Sequence, residues 1–110
     1  MYNDFKAIVE CPHCKRKDLS VFQAYIGYLC LEVYMLGDNL PKTKPREFRG
    51  QIGPSLEALN GERSFWAYGL GDCEHCKEDM WVKIFIDRLV YSRVEIVDPP
   101  DNSYNWEFTS

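Results

Sequence analysis

A two-residue period is clearest over Met80–Ile86, where every second position is aliphatic. Met80, Val82, Ile84 and Ile86 fall on one face and Trp81, Lys83, Phe85 and Asp87 on the other, which predicts a half-buried β-strand. A turn at Asp87-Arg88 and a returning strand over Leu89–Val97 complete a hairpin. Its predicted inner face is Val90, Val94 and Ile96, and its outer face carries Arg93 and Glu95. Lys6–Glu10 and Phe65–Leu70 predict two more strands, the second continuing through Gly71-Asp72. Leu19–Leu36 is rich in Val, Ile, Phe, Tyr and Leu. Gly27 divides it, and the branched and aromatic content favours strands over about residues 20–26 and 28–36, although Ser20 also suits a helix cap. Both faces of this stretch are apolar, which implies burial on both sides or a surface to be covered. Gly37-Asp38 ends it as a turn.

Residues 38–63 break every long pattern. Pro41, Pro45 and Pro54 interrupt elements, and Gly50, Gly53 and Gly61 loosen the backbone. Pro54–Leu59 allows one or two helical turns, with Asn60-Gly61 as the stop. At the far end Asp98-Pro99-Pro100-Asp101 closes the sheet. Tyr104, Trp106 and Phe108 then alternate in a tail suited to lying extended on a surface, the chain's own or a partner's. The expected organisation is one mainly β domain over residues 1–98 and a tail over 99–110.

Two short stretches punctuate the strands, Cys11-Pro12-His13-Cys14-Lys15 and Cys73-Glu74-His75-Cys76-Lys77. Two cysteines separated by two residues let a tight turn aim both thiolates at one point. Two such turns supply the four sulfurs of a tetrahedral structural zinc ion, expected here through Cys11, Cys14, Cys73 and Cys76, one ion per chain. A closed four-thiolate site has no open position for substrate, so the metal is expected to hold the fold and the chain is not expected to be an enzyme. His13 and His75 lie inside the two turns, where four cysteines already satisfy the metal. The fifth cysteine, Cys30, sits in an apolar run and reads as a small buried hydrophobe.

With these residues the chain resembles a zinc ribbon, in which two knuckles on a small antiparallel sheet hold a structural zinc. Two features depart from the common pattern. Lys15 and Lys77 stand where many ribbon knuckles carry glycine, and 58 residues separate Cys14 from Cys73, against about 15–20 in a minimal site. The resemblance therefore implies a ribbon with a long insertion, expected to carry most of the core. Known ribbons serve in transcription, translation, nucleic-acid enzymes and protein assembly, so the fold does not fix a function.

Composition narrows the field. The 110 residues are 45% hydrophobic and 15% aromatic, enough for one packed domain. With 13 Lys and Arg against 17 Asp and Glu the formal charge is −4, and about −6 once four thiolates hold a dication. An acidic chain suits a protein-binding module of inhibitor, immunity or adaptor type that docks on a basic surface. A nucleic-acid-binding or transcription and translation accessory role is the alternative, resting on Lys15-Arg16-Lys17 and on Lys42, Lys44, Arg46 and Arg49. The first cluster also reads as compensation for an anionic metal centre, and the second as a solvated loop. A thiol oxidoreductase is a third reading of Cys11-Pro12-His13-Cys14. It lacks the strand, helix and strand that should precede the motif, and it leaves the second knuckle unexplained. An odd cysteine count, the knuckle spacing and the absence of an early apolar run or a membrane-length segment predict a soluble, cytoplasmic protein.

Overall fold

The computed structural model describes residues 3–24, 33–40 and 61–101, and residues 106–108 as backbone strand. Seven strands form one sheet: β1 (Asn3–Glu10), β2 (Lys17–Ala24), β3 (Val33–Tyr34), β4 (Phe65–Asp72), β5 (Asp79–Asp87), β6 (Val90–Val97) and β7 (Trp106–Phe108). The order is β3-β1-β2-β4-β5-β6, with β7 added on β4. All pairings are antiparallel except β1 with β3. The expected β class holds, and no helix occurs among the described residues. The predicted helical turns at Pro54–Leu59, the basic stretch over residues 42–49, Cys30 and Tyr104 lie outside them.

Two hairpins build the frame. β1 and β2 pair along their full lengths from Asn3↔Ala24 to Glu10↔Lys17, and β4 and β5 from Phe65↔Ile86 to Asp72↔Asp79. β2 therefore starts at Lys17 rather than near residue 20. Of the predicted strand 28–36, only Val33–Tyr34 is a strand among the described residues. β2 and β4 pair only at Gln23↔Leu70. Beyond that point β4 passes very close to β2: a side chain at Gly71 would collide with the Val21 carbonyl oxygen and the Phe22 ring. Glycine at position 71 is thus what lets the two hairpins lie side by side.

The sheet curls until its ends meet. After β3 the chain crosses to the opposite edge, where Gly37 N–H donates to the Tyr91 carbonyl (2.8 Å), Tyr91 N–H to that of Asp38 (3.0 Å) and Leu40 N–H to that of Leu89 (2.6 Å). The Tyr91 hydroxyl donates to the Lys6 carbonyl on β1 (3.1 Å), tying the same edges by a side chain. The enclosed core holds Phe5, Phe22, Tyr34, Phe65, Met80, Val82, Ile84, Ile86 and Tyr91. The alternation read over Met80–Ile86 is therefore the inward face of β5. Among the described residues the long insertion does not supply most of this core: β1, β5 and β6 contribute Phe5, Met80, Val82, Ile84, Ile86 and Tyr91 from outside it.

β6 departs from its predicted facing. Phe85 lies opposite Arg93 but Ile86 lies opposite Tyr91, so one extra residue is inserted at Ser92. This bulge turns Tyr91 inward, while Val94 and Ile96 still pack against the core. Val90 thus does not share the face of Val94 and Ile96, as strict alternation had implied. The Ser92 hydroxyl donates to the Phe85 carbonyl at 3.0 Å.

The connecting turn is Arg88-Leu89, one residue later than expected, with both residues in the left-handed region (φ 47° and 69°). A two-residue hairpin of this hand ordinarily uses Asn or Gly. Leu89 accepts the conformation while its side chain is buried against the core, whereas Arg88 is exposed and gains no such offset. Arg88→Asn is expected to stabilise the chain by about 0.5–1 kcal/mol, since each left-handed non-glycine residue costs about 1–2 kcal/mol. Leu89→Gly should destabilise it through lost burial. Denaturant titration of both variants checks the pair, and a destabilised Arg88→Asn would refute the account of the turn.

Candidate metal centre

Each knuckle is the turn of one hairpin, Cys11–Arg16 between β1 and β2 and Cys73–Glu78 between β4 and β5. The two are built alike. In the first, Lys15 N–H donates to the Cys11 carbonyl (2.9 Å) and Cys11 N–H to that of Arg16 (2.9 Å). In the second, Lys77 N–H donates to Cys73 (2.9 Å) and Cys73 N–H to Glu78 (3.0 Å). Closing the turn this way forces the residue after the second cysteine into the left-handed region, with φ 65° at Lys15 and 64° at Lys77. The glycine of commoner knuckles meets that demand without strain. Here lysine bears it, and both lysines are exposed.

The sulfurs of Cys11, Cys14, Cys73 and Cys76 all lie within 4.8 Å of one another. Across the knuckles, Cys11 Sγ is 3.7 Å from Cys76 Sγ and Cys14 Sγ is 3.5 Å from Cys73 Sγ. A tetrahedron with metal–sulfur bonds of about 2.3 Å has edges of about 3.8 Å, so the spacing fits one four-coordinate ion. It is far from the sulfur–sulfur bond of about 2.05 Å in a disulfide, and all four cysteines are free thiols. Cys11 and Cys73 are buried in the core cluster, with Cys14 and Cys76 partly exposed at its rim.

The electrostatics favour a cation. The backbone N–H groups of Cys76 and then His75 point at the Cys73 sulfur and lower its pKa to about 6. Those of Cys14 and His13 lower Cys11 in the same way. Backbone N–H groups of Arg16 and Glu78 also favour the thiolates of Cys14 and Cys76. Burial and the neighbouring sulfurs outweigh them, so Cys14 is raised and Cys76 is pushed up to about 12. The chain alone thus prepares part of the set as thiolate and resists full ionisation. A coordinated cation removes that resistance, because ligation deprotonates a thiol outright.

Around the sulfurs runs a contact that the local sequence pattern does not announce. His75 Nε2 lies 2.9 Å from Asp18 Oδ2, and His75 Nδ1 lies 3.3 Å from Arg16 Nη1. His75 is therefore engaged by side chains of the first knuckle and the start of β2, not aimed at the sulfurs as a spare ligand. His13 is exposed beside a cleft of about 330 Å³ lined also by Trp81, Ile96 and Pro99. Arg16 has a specific neighbour, while Lys15 and Lys17 are exposed.

Searches against protein families, curated proteins and solved structures return no match.

Proposed function

We propose that this chain is a non-enzymatic structural-zinc protein that works by binding a partner protein with a basic, centrally apolar surface. Zinc is the best candidate for four cysteine sulfurs at tetrahedral spacing, and a site closed by four protein ligands holds structure rather than performing chemistry. A reducing compartment such as the cytoplasm keeps those thiols available. Among the described residues, no helix is long and apolar enough to cross a membrane.

The observation that supports the binding role is an exposed apolar strip among the described residues, on the outer face of β1, β2 and β3. Ile8 is 70% exposed in mid-strand, and Leu19, directly opposite it on β2, is exposed as well. Val21, Val33, Met35 and Leu36 extend the strip. Ile8, Leu19, Met35 and Leu36 with Lys6 and Ala7 line a groove of about 210 Å³. Contiguous apolar surface of this kind marks an interaction site more often than chance exposure does. The charge of −4 supplies long-range attraction to a basic partner.

The nucleic-acid alternative draws less support. Aromatic rings on the outer face of β4 and β5 would be its stacking platform. Lys83 already sits over Trp66 at 4.2 Å and Arg93 over Phe85 at 3.7 Å, so these rings are faced by the chain's own cations. The oxidoreductase reading fares no better. Cys11 opens a hairpin turn rather than a helix, so the helix N-terminus that activates such thiols is missing there.

Capture from the native host with the parent and an Ile8→Glu/Leu19→Glu variant, then titration of the purified partner, tests the reading. Binding should weaken at least about 10-fold in the variant, since two contacts at an interface centre are each worth about 1 kcal/mol or more, and association should slow with added salt. Binding unchanged by the variant, or tight parent binding to nucleic acid at physiological salt, would overturn it.

A further inference from the structure

We propose that His75 is a positioning residue that latches the second knuckle to the first through Asp18 and Arg16, and thereby sets how long the metal is retained. This rests on the zinc reading above. The need for a latch follows from the topology. The knuckles belong to separate hairpins, and the adjoining strands β2 and β4 share one residue pair, Gln23↔Leu70. Between that point and the knuckles β2 and β4 meet by packing, at Gly71 against Val21 and Phe22, and not by ladder pairs. Four cysteines split between two such turns require the turns to be held at a fixed distance.

His75 meets that requirement from the second knuckle. An arginine guanidinium is a donor only, so Arg16 Nη1–H donates to Nδ1. The ring therefore carries its hydrogen on Nε2, which donates to Asp18 Oδ2 at 2.9 Å. Asp18 is itself fixed, because its other oxygen accepts Leu19 N–H at 2.8 Å. The chain of contacts runs from β2 through a carboxylate and an imidazole back to the first knuckle's arginine, with the imidazole rooted between Cys73 and Cys76.

This differs from the common arrangement in which a carboxylate supports a histidine that ligates the metal. Here both ring nitrogens are engaged by Asp18 and Arg16, and the histidine's contribution is geometric. Loss of a partner bonded directly to a ligating residue costs about 10–100-fold in metal affinity, which is the upper bound for a contact one step further out. The His75 and Asp18 side chains are 35% and 53% exposed, so water and salt screen the contact and the lower end of that range is expected.

The full chain is loaded with Zn(II), and release to an excess of chelator is timed for the parent, His75→Ala, Asp18→Asn and His75→Gln. A glutamine amide offers one donor and one acceptor and preserves the pattern of contacts. His75→Ala and Asp18→Asn should release metal about 10-fold faster than the parent, with the His75→Ala/Asp18→Asn double variant no faster than either single one and His75→Gln close to the parent. Melting midpoints in saturating zinc should stay within a few degrees across the set, which separates retention from general stability. Co(II) loading should give the same four-thiolate spectrum in every variant. Parent-like release from His75→Ala overturns the latch alone. A changed Co(II) spectrum in that variant also overturns it, by making His75 a ligand. A parent that takes up neither Zn(II) nor Co(II) removes the zinc reading and the latch together.

Discussion

Cys73→Ser is expected to unfold or aggregate the chain even in reducing buffer with zinc present. The two halves of the cysteine cluster are separated by 58 residues between Cys14 and Cys73, so an ion bound there would close a loop that contains β2, β3 and β4. An unfolded chain loses entropy when those ends are brought together, and without the fourth sulfur less binding energy offsets that loss. Zinc binding at such sites is worth about 10–16 kcal/mol in finger peptides, against about 5–15 kcal/mol for the stability of a whole domain. A zinc ion at this site would therefore contribute about as much as the entire margin, although this chain has a core that a bare finger lacks. Cys73 also belongs to that core, where serine would bury a hydroxyl among sulfur and aliphatic atoms. The control is Glu74→Gln in the same knuckle, exposed and outside the sulfur cluster. Thermal melts with native mass spectrometry decide the matter. A Cys73→Ser protein that melts like the parent would mean that the sulfurs merely pack and the metal reading fails.

The four sulfurs were legible in the sequence because the signal is local. Two residues between cysteines fix the turn, and the turn fixes where both sulfurs point. The hydrogen bonds of Lys15 and Lys77 to the first cysteine of each knuckle repeat that logic in space. The latch was not legible, because His75 and Asp18 are 57 positions apart and only the packing of two hairpins brings them together. Pattern reading succeeded for β5 on the same grounds: nothing interrupts its alternation. In β6 it held for Val94 and Ile96 and failed for Val90, because one bulged residue at Ser92 shifts the facing of the residues before it, and a serine between a tyrosine and an arginine carries no mark of that role. The Arg88-Leu89 turn escaped placement for a related reason. Neither residue favours the left-handed region, and the turn is held by burial of Leu89 and its carbonyl bond from Leu40.

The apolar character of both faces of Leu19–Leu36 left burial and a surface to be covered as equal options. For Leu19 and Val21 the outcome is the surface: they look outward while Phe22 and Ala24 look in. The tail's alternating aromatics led to an extended segment, and residues 106–108 are one, hydrogen-bonded as β7 along Phe65–Ala67 of β4. That pairing occupies the part of the β4 edge that β2 does not reach, so tail and second strand divide one edge between them.

Phe5→Ala is expected to cost about 3–5 kcal/mol, the usual range for emptying a buried aromatic site. Phe5 is fully buried where the two ends of the curled sheet meet. Its ring lies 5.3 Å from that of Tyr34 on β3 and 5.1 Å, edge-on, from that of Tyr91 on β6. Tyr34 and Tyr91 come from opposite ends of the strand order, so one ring fills the space that closes the sheet. Its removal leaves a cavity that only a movement of the seam could fill, and such movement would disturb the Tyr91 hydroxyl bond to Lys6. Tyr91→Phe removes that bond alone and should cost about 0.5–1.5 kcal/mol. Phe5 and Cys11 stand six residues apart on an extended strand, about 20 Å, so the seam and the metal centre should contribute additively. Denaturant unfolding of both variants in saturating zinc should therefore show lowered midpoints at an unchanged slope, with the Co(II) spectrum of Phe5→Ala matching the parent. If Phe5→Ala costs no more than Tyr91→Phe, the ring is not what closes the sheet, and the hydrogen bonds of residues 37–40 to β6 must hold it alone.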